Sequence, residues 1–463
     1  MDTPPLMLSV SGARGVIGAT MTPVVAAQYA AAFGSGLRRT DDAGRAPLVV
    51  VGRDSRPSGE MLDRAAVAGL LGVGCRVISL GVVTTPTVAV MIDELEADGG
   101  LVITASHNPI EWNGIKLLNR EGVAPPPSEV NQVIARFRTN EGEPVSVDQL
   151  QPPETNAEAT RIHVNRVLAA VDPRPIREAR LTAALDSVNG AGGPPAKLLL
   201  HELGVEVIEL NTEPTGKFAH TPEPIREHLG ELAAKVKAEG AAVGFAQDPD
   251  ADRLALVDER GEFIGEEYTL ALAALHLLER SNGSLGPIVA NLSTSRMVDD
   301  LAAKFNASVF RSPVGEANVV DEMKRRGSSL GGEGNGGVIW APVCRVRDSL
   351  TAMALVLGLL AERRKPLSAV VAEIPKYEIH KTKMHVRDEL IPFALEAIAA
   401  YFVDERVDRQ DGVRIDFDER RAWLHVRPSN TEPIVRVIAE ARSRDAAESL
   451  VATAVRVIEA EER

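Results

Sequence analysis

Leu101-Val102-Ile103-Thr104-Ala105-Ser106-His107-Asn108-Pro109 is an apolar run that ends in a polar turn. The three apolar residues read as a short buried strand, and Pro109 closes it because proline cannot donate to a ladder. A serine with small and polar neighbours is thereby delivered to the end of a sheet, where open α/β folds place their reactive groups. Taken alone, Ser106 fits a capped polar loop equally well. Its neighbourhood decides the fold. Upstream, Leu48 to Val51 is another buried run, followed by the polar stretch Gly52-Arg53-Asp54-Ser55-Arg56 and a helix from near Ser58. Arg76 to Leu80 is a further strand, and Thr85-Pro86-Thr87 opens a further helix. Thr22-Pro23 pairs an N-cap with a proline at the first helical position, and the spacing predicts a helix ending at Gly34. This alternation is that of an α/β unit, a mostly parallel sheet covered by helices.

The strand, polar loop, helix pattern recurs twice. A helix over about 158–170 precedes Leu181 to Leu185 and the loop Asp186 to Gly192, and Pro287 to Ala290 runs into Asn291 to Arg296. The chain therefore reads as three related α/β units, by pattern rather than by residue identity. The C-terminal stretch differs. Strands are predicted over 412–418, 422–427 and 434–439, and Ser443 caps a final helix with Ala446, Leu450, Ala454 and Val457 on one face. That is a smaller α+β module. Pro125-Pro126-Pro127 and Gln151-Pro152-Pro153 punctuate the end of the first unit. The expected domains are 1–154, 155–257, 258–373 and 374–463.

At 463 residues the chain exceeds one core. No apolar run reaches the length of about 18 residues that a membrane helix needs. Met-Asp-Thr-Pro-Pro carries no signal-peptide pattern, and Cys75 and Cys344 match no metal spacing, so both read as reduced core thiols and the cytoplasm is expected. A net charge of −14 argues against nucleic acid as a partner. It leaves small phosphates open, provided arginines and backbone N–H groups cluster locally.

Asp248-Pro249-Asp250-Ala251-Asp252-Arg253 lies between apolar runs. In extended backbone, alternate residues face one way, so the three aspartates converge. Such carboxylates repel unless a cation sits among them, and hard oxygen ligands select Mg²⁺, Mn²⁺ or Ca²⁺. An EF-hand is the rival, with Glu259 at loop position twelve, but Arg253 stands where the turn needs glycine and strands flank the motif. A serine beside such a site suggests phosphoryl transfer, with Ser106 contributing to the metal sphere when phosphorylated. In Gly331-Gly332-Glu333-Gly334-Asn335-Gly336-Gly337, bare backbone lets a ligand approach while Glu333 and Asn335 offer partners for vicinal hydroxyls; a plain hairpin loop is the alternative. Arg427-Pro428-Ser429-Asn430-Thr431-Glu432-Pro433, with Arg436 beyond, fits a phosphate dianion. Turn chemistry explains its centre but not both arginines.

Together, Thr-Ala-Ser-His-Asn-Pro, Asp-Pro-Asp-Ala-Asp-Arg, Gly-Glu-Gly-Asn-Gly-Gly and Arg-Pro-Ser-Asn-Thr-Glu-Pro, in that order across nearly the whole chain, resemble the α-D-phosphohexomutase family. That family includes phosphomannomutase/phosphoglucomutase and phosphoglucosamine mutase. The resemblance implies three α/β/α domains and a TATA-binding-protein-like C-terminal domain around a central cleft. It implies Ser106 as phosphoserine, Asp248, Asp250 and Asp252 as Mg²⁺ ligands, and a hexose 1,6-bisphosphate as intermediate and activator. By the same analogy Arg14 and Lys116 handle protons and charge, and His107 and Arg253 support the phosphoserine. Glu333 and Asn335 read the sugar, while Arg427, Ser429, Asn430, Thr431 and Arg436 hold the second phosphate. Many bacterial relatives carry serine at the position of Asn335 and histidine at that of Gly337, so that histidine's acid/base role does not transfer. The loop looks more like archaeal-type phosphoglucosamine mutases, which makes glucosamine phosphate the expected substrate and phosphomannomutase/phosphoglucomutase activity the alternative. A non-catalytic sugar-phosphate-binding relative and a metal-dependent phosphatase are the other readings. The first would have lost Ser106 or an aspartate, and the second needs no second phosphate clamp. A monomer or homodimer is expected.

Overall fold

The computed structural model describes residues 4–38, 45–282, 284–428 and 434–461. They form two compact units, one of residues 1–276 with 336–370 and one of 277–335 with 371–463.

The first unit holds two sheets. In the larger, the strands lie in the order Met7–Ser9, Gly12–Val16, Trp112–Asn119, Gly99–Ile103, Leu48–Arg53, Arg76–Val82 and Glu154–Thr155. Leu48–Arg53 is parallel to both neighbours, whereas Trp112–Asn119 runs antiparallel to Gly99–Ile103 and to Gly12–Val16. The sheet is thus mixed rather than mostly parallel. Chain order explains it, because the strand after the serine loop doubles straight back as a hairpin and needs no crossover helix. Every residue of Gly99–Ile103 is buried, as a strand covered on both faces requires. The helix Pro23–Arg38 packs on Gly59–Gly72. It runs past the expected stop at Gly34, because a Cβ there would lie 2.8 Å from Cys75 Sγ. That glycine serves close packing inside the helix and does not end it.

The smaller sheet orders Leu254–Asp258, Val243–Gln247, Thr182–Asp186 and Glu206–Leu210, the first pair antiparallel and the others parallel. The strand Gly337–Trp340 and the nearly wholly buried helix Ser349–Arg363 also belong to this unit.

In the second unit, Val309–Ser312, Ile288–Asn291 and Leu330–Glu333 are parallel neighbours. A five-stranded antiparallel sheet follows, ordered Glu378–His385, Ile434–Ala441, Ala422–Pro428, Val413–Phe417 and Arg406–Asp408. The helices Ile391–Tyr401 and Arg444–Glu461 pack on it and on each other, giving the expected α+β module. Ser443 Oγ accepts from Ala446 N at the start of the last helix. That helix buries Ala447, Val451, Ala454 and Ile458, while Ala446 is exposed. Three of the four buried positions lie one residue later than expected and Ala454 is common to both, since the sequence offers two adjacent apolar rows and packing selects between them.

Cys75 and Cys344 are buried, with no disulfide among the described residues. No helix of the described residues is long and apolar enough to cross a membrane.

Candidate active site

Ser106 follows directly on Gly99–Ile103 and sits at φ 50°, a left-handed conformation that a non-glycine residue holds only when its surroundings impose it. Those surroundings are a buried network. Thr104 Oγ1 accepts from Ser106 N at 2.9 Å and donates to Asp54 Oδ2 at 2.6 Å. Asp54 pairs with Arg56, whose Nη2 donates to Ser106 O at 2.7 Å and Asn108 O at 2.6 Å. Arg56 and Asp54 are fully buried. The loop is fixed by its backbone, which leaves the serine hydroxyl for other contacts.

That hydroxyl donates to Asp248 Oδ2 at 2.9 Å and lies 3.3 Å from His107 Nδ1. Asp248, Asp250 and Asp252 are buried and each places a carboxylate oxygen within 4.8 Å of the others. They converge through a turn and not through extended backbone: Ala251 N donates to Asp248 O at 3.0 Å, and Ala251 has φ 55°. Glu259 accepts from Ser368 N at 3.0 Å and from its hydroxyl, so it is spoken for elsewhere and the EF-hand arrangement is absent.

Lys116 comes from the hairpin strand and reaches Asp250 Oδ2 at 2.6 Å and Asp252 Oδ2 at 3.1 Å. Thr85 Oγ1 donates to Asp250 Oδ2 at 2.6 Å, and Arg253 N donates to Asp248 Oδ1 at 3.1 Å. Arg14 Nη1 donates to Asn108 Oδ1 at 3.3 Å, which places it on the serine loop.

Burial, followed by Asp252 and Asp250, pushes Asp248 well above the usual carboxylate range. Burial also acts to raise Asp250 and Asp252, but Lys116 reverses this at Asp250 and Arg347 with Lys116 reverses it at Asp252, so both end below that range. Lys116 is held above its ordinary value despite burial, because both aspartates face it. It is a fixed cation, suited to stabilising charge. Burial, with Arg253 and Arg14 beside it, pushes His107 down to about 3, so its imidazole is neutral at physiological pH.

The donor set fits a hard divalent cation. Asp250 Oδ1 and Asp252 Oδ1 are buried without a hydrogen-bond partner, and three converging carboxylates make a hard oxygen donor set.

In the second unit, Glu333 ends its strand buried, and its Oε1 accepts from Asn291 Nδ2 at 2.8 Å and Gly315 N at 3.1 Å. Asn335 Oδ1 is buried without a hydrogen-bond partner. Arg427 is oriented by Asp411, whose Oδ2 accepts from Arg427 Nε and from Val314 N, each at 3.0 Å. Arg436 is exposed and stands opposite Arg427 on one side and Lys383 on the other, so three basic residues share a row across the sheet. Ser429, Asn430 and Thr431 lie outside the described residues.

Sequence reasoning missed Arg56, Asp54 and Thr85. It also missed Arg347, whose Nη2 is 2.7 Å from Asp252 Oδ2, and the buried pair His163–Asp348, in which Nε2 and Oδ2 are 3.2 Å apart. His163 Nδ1 lies 3.0 Å from Thr87 Oγ1, on the helix that also carries Thr85. The only local signal was the polar stretch Gly52 to Arg56 directly after a strand.

A serine seated against a buried aspartate triad, flanked by lysine and arginine on an α/β scaffold, defines a phosphoryl-transfer enzyme. Models of the phosphoglucomutase/phosphomannomutase family match the chain in order: alpha/beta/alpha domain I over residues 7–143, domain II over 161–261, domain III over 266–377 and the C-terminal domain over 383–457. The chain belongs to this family, and it is a phosphohexomutase, an isomerase. It is 38% identical over 459 residues to a phosphoglucomutase/phosphomannomutase of Thermococcus kodakarensis, covering 97% of both chains. It is 34% identical over 443 residues to a protein of Methanopyrus kandleri named "Probable phosphoglucosamine mutase", covering 95% of both. A solved phosphoglucomutase/phosphomannomutase family protein from Burkholderia thailandensis superposes with a TM-score of 0.85 at 29% identity, covering 98% of each chain.

Proposed function

We propose that the chain interconverts glucosamine 6-phosphate and glucosamine 1-phosphate through a phosphoserine at Ser106 and a bisphosphorylated sugar. The observation that carries the phosphoserine is the Ser106 hydroxyl 2.9 Å from Asp248, at a triad in which Asp250 Oδ1 and Asp252 Oδ1 are buried without hydrogen-bond partners. The free hydroxyl of the sugar monophosphate attacks phosphorus, its new O–P bond forms as the Oγ–P bond of Ser106 breaks, and its proton passes to a basic group nearby. The bisphosphate then turns and returns its other phosphoryl group to Ser106. Lys116 and Arg14 flank the serine, where they handle protons and stabilise charge on the transferring group. His107 and Arg253 flank the phosphoserine. When bound at Asp248, Asp250 and Asp252, Mg²⁺ neutralises the phosphoryl oxygens.

Glu333 and Asn335 read the sugar hydroxyls, and Arg427, Ser429, Asn430, Thr431 and Arg436 hold the phosphate that does not react. A hexose 1,6-bisphosphate primes Ser106. We infer domains of residues 1–154, 155–257, 258–373 and 374–463, a monomer or homodimer, and a cytoplasmic location.

The second reading is a phosphomannomutase/phosphoglucomutase, favoured by the name of the Thermococcus relative. Mutase activity on glucosamine 6-phosphate, glucose 1-phosphate and mannose 1-phosphate, measured in parallel with Mg²⁺ and a trace of hexose bisphosphate, separates the two. A higher kcat/KM for glucosamine 6-phosphate is expected. Faster turnover of the neutral hexose phosphates assigns the second reading, and no turnover of any of them makes the protein a non-catalytic relative.

A further inference from the structure

Two residues at the start of the helix Ser349–Arg363, Ser349 and the preceding Arg347, grip the loop that carries the aspartates. Ser349 N and Oγ donate to Ala251 O at 3.2 and 2.7 Å. Asp348 accepts from Leu350 N and Thr351 N, capping the helix, and reaches His163 at 3.2 Å. Arg347 Nη2 is 2.7 Å from Asp252 Oδ2, closer than Lys116 Nζ at 3.1 Å, and Lys116 lies nearer to Asp250. The remaining neighbour, Arg253 Nε, is 3.9 Å from Asp252. Asp252 thus commits Oδ2 to two basic groups and keeps Oδ1 buried without a hydrogen-bond partner, with only Arg253 Nε at 3.9 Å beside it among the ion pairs of the described residues. Toward the aspartate loop, Ser349 holds backbone, whereas Arg347 holds charge.

We propose that Arg347 is a positioning residue, the nearest counter-charge of Asp252 while no cation is held, and that it weakens the triad's grip on a divalent cation so that the cation exchanges. The inference rests on the triad being the cation site. A buried carboxylate without a counter-charge is strongly destabilised. A cation arriving at such a carboxylate recovers that whole penalty. At a carboxylate already paired with a guanidinium it recovers little, and it meets a like charge in place. Affinity is the difference between the two states, so the arginine lowers it.

The test is calorimetric titration of the full chain with Mg²⁺, without substrate, for wild type, Arg347→Met, Arg347→Lys and Ser349→Ala, together with Tm in the presence and absence of Mg²⁺. Arg347→Met is expected to bind Mg²⁺ about fivefold more tightly or better. Its Tm falls below wild type without the cation, and Mg²⁺ recovers most of the loss. Arg347→Lys keeps the charge and restores wild-type affinity. Ser349→Ala lowers Tm alike with and without Mg²⁺ and does not tighten binding, as a purely structural grip would have it. Should Arg347→Met not fold, Arg347→Gln keeps a donor without the charge and carries the same expectations. Unchanged or weaker Mg²⁺ binding by the folded neutral variant overturns the inference. A wild-type chain that takes up no Mg²⁺ overturns instead the cation site beneath it.

Discussion

Ser106→Ala abolishes mutase turnover and leaves the fold in place. The loop owes its shape to backbone contacts: Ser106 N to Thr104 Oγ1, and Ser106 O to Arg56 Nη2. Alanine keeps both. The hydroxyl lost had bonded Asp248 Oδ2, and its removal costs about 1 kcal/mol of stability. Losing the atom that carries the phosphoryl group removes the reaction itself, and turnover drops by about 10⁴-fold or more. Coupled assay with saturating hexose bisphosphate, alongside thermal unfolding, reads both effects. More than trace turnover by a folded Ser106→Ala variant sinks the phosphoserine assignment.

Arg56→Met is the largest expected blow to stability. Arg56 is the ion-pair partner of Asp54 among the described residues, both fully buried, and it also ties two carbonyls of the serine loop. Removing it strands a buried carboxylate, at a cost of about 3–5 kcal/mol, and frees Ser106 from its left-handed conformation. Unfolding of the first sheet shifts to lower denaturant, and activity falls with it. In the double variant Asp54→Asn/Arg56→Met the stranded charge is gone, so stability recovers in part, while turnover stays low because the carbonyl ties are still missing. A single variant as stable as wild type would show that the pair carries no such burden.

These two sites also show what the chain reveals before it folds. Ser106 was legible because a strand and a proline bracket it locally, and the aspartates because they lie within five residues of one another. The three α/β patterns and the α+β ending were readable from periodicity for the same reason. Arg56 was not legible as a prop of the serine, since it acts across 50 positions, nor was Arg347, which reaches Asp252 across 95. Nothing local marks either one. Gly34 misled because a glycine admits both a helix stop and close packing, and only Cys75, brought in from the next strand region, decides between them. The aspartates converged as expected but by a different backbone: Asp-Pro-Asp-Ala admits a turn as readily as a strand, and the left-handed Ala251 selects the turn. The antiparallel return of Trp112–Asn119 is not legible locally because Pro109 reads as an ending, whereas Trp112 N bonds Pro109 O in the turn that starts the next strand.

The central claim is that Ser106 carries the transferred phosphoryl group. Its most direct test is peptide mass spectrometry of the wild-type chain after incubation with hexose 1,6-bisphosphate and Mg²⁺, followed by a chase with hexose monophosphate. One phosphoryl group on the peptide containing Ser106, gained in the first step and lost in the chase at the rate of turnover, is the predicted result. A peptide that stays unmodified while the enzyme turns over, or a phosphoryl group on another residue, contradicts it.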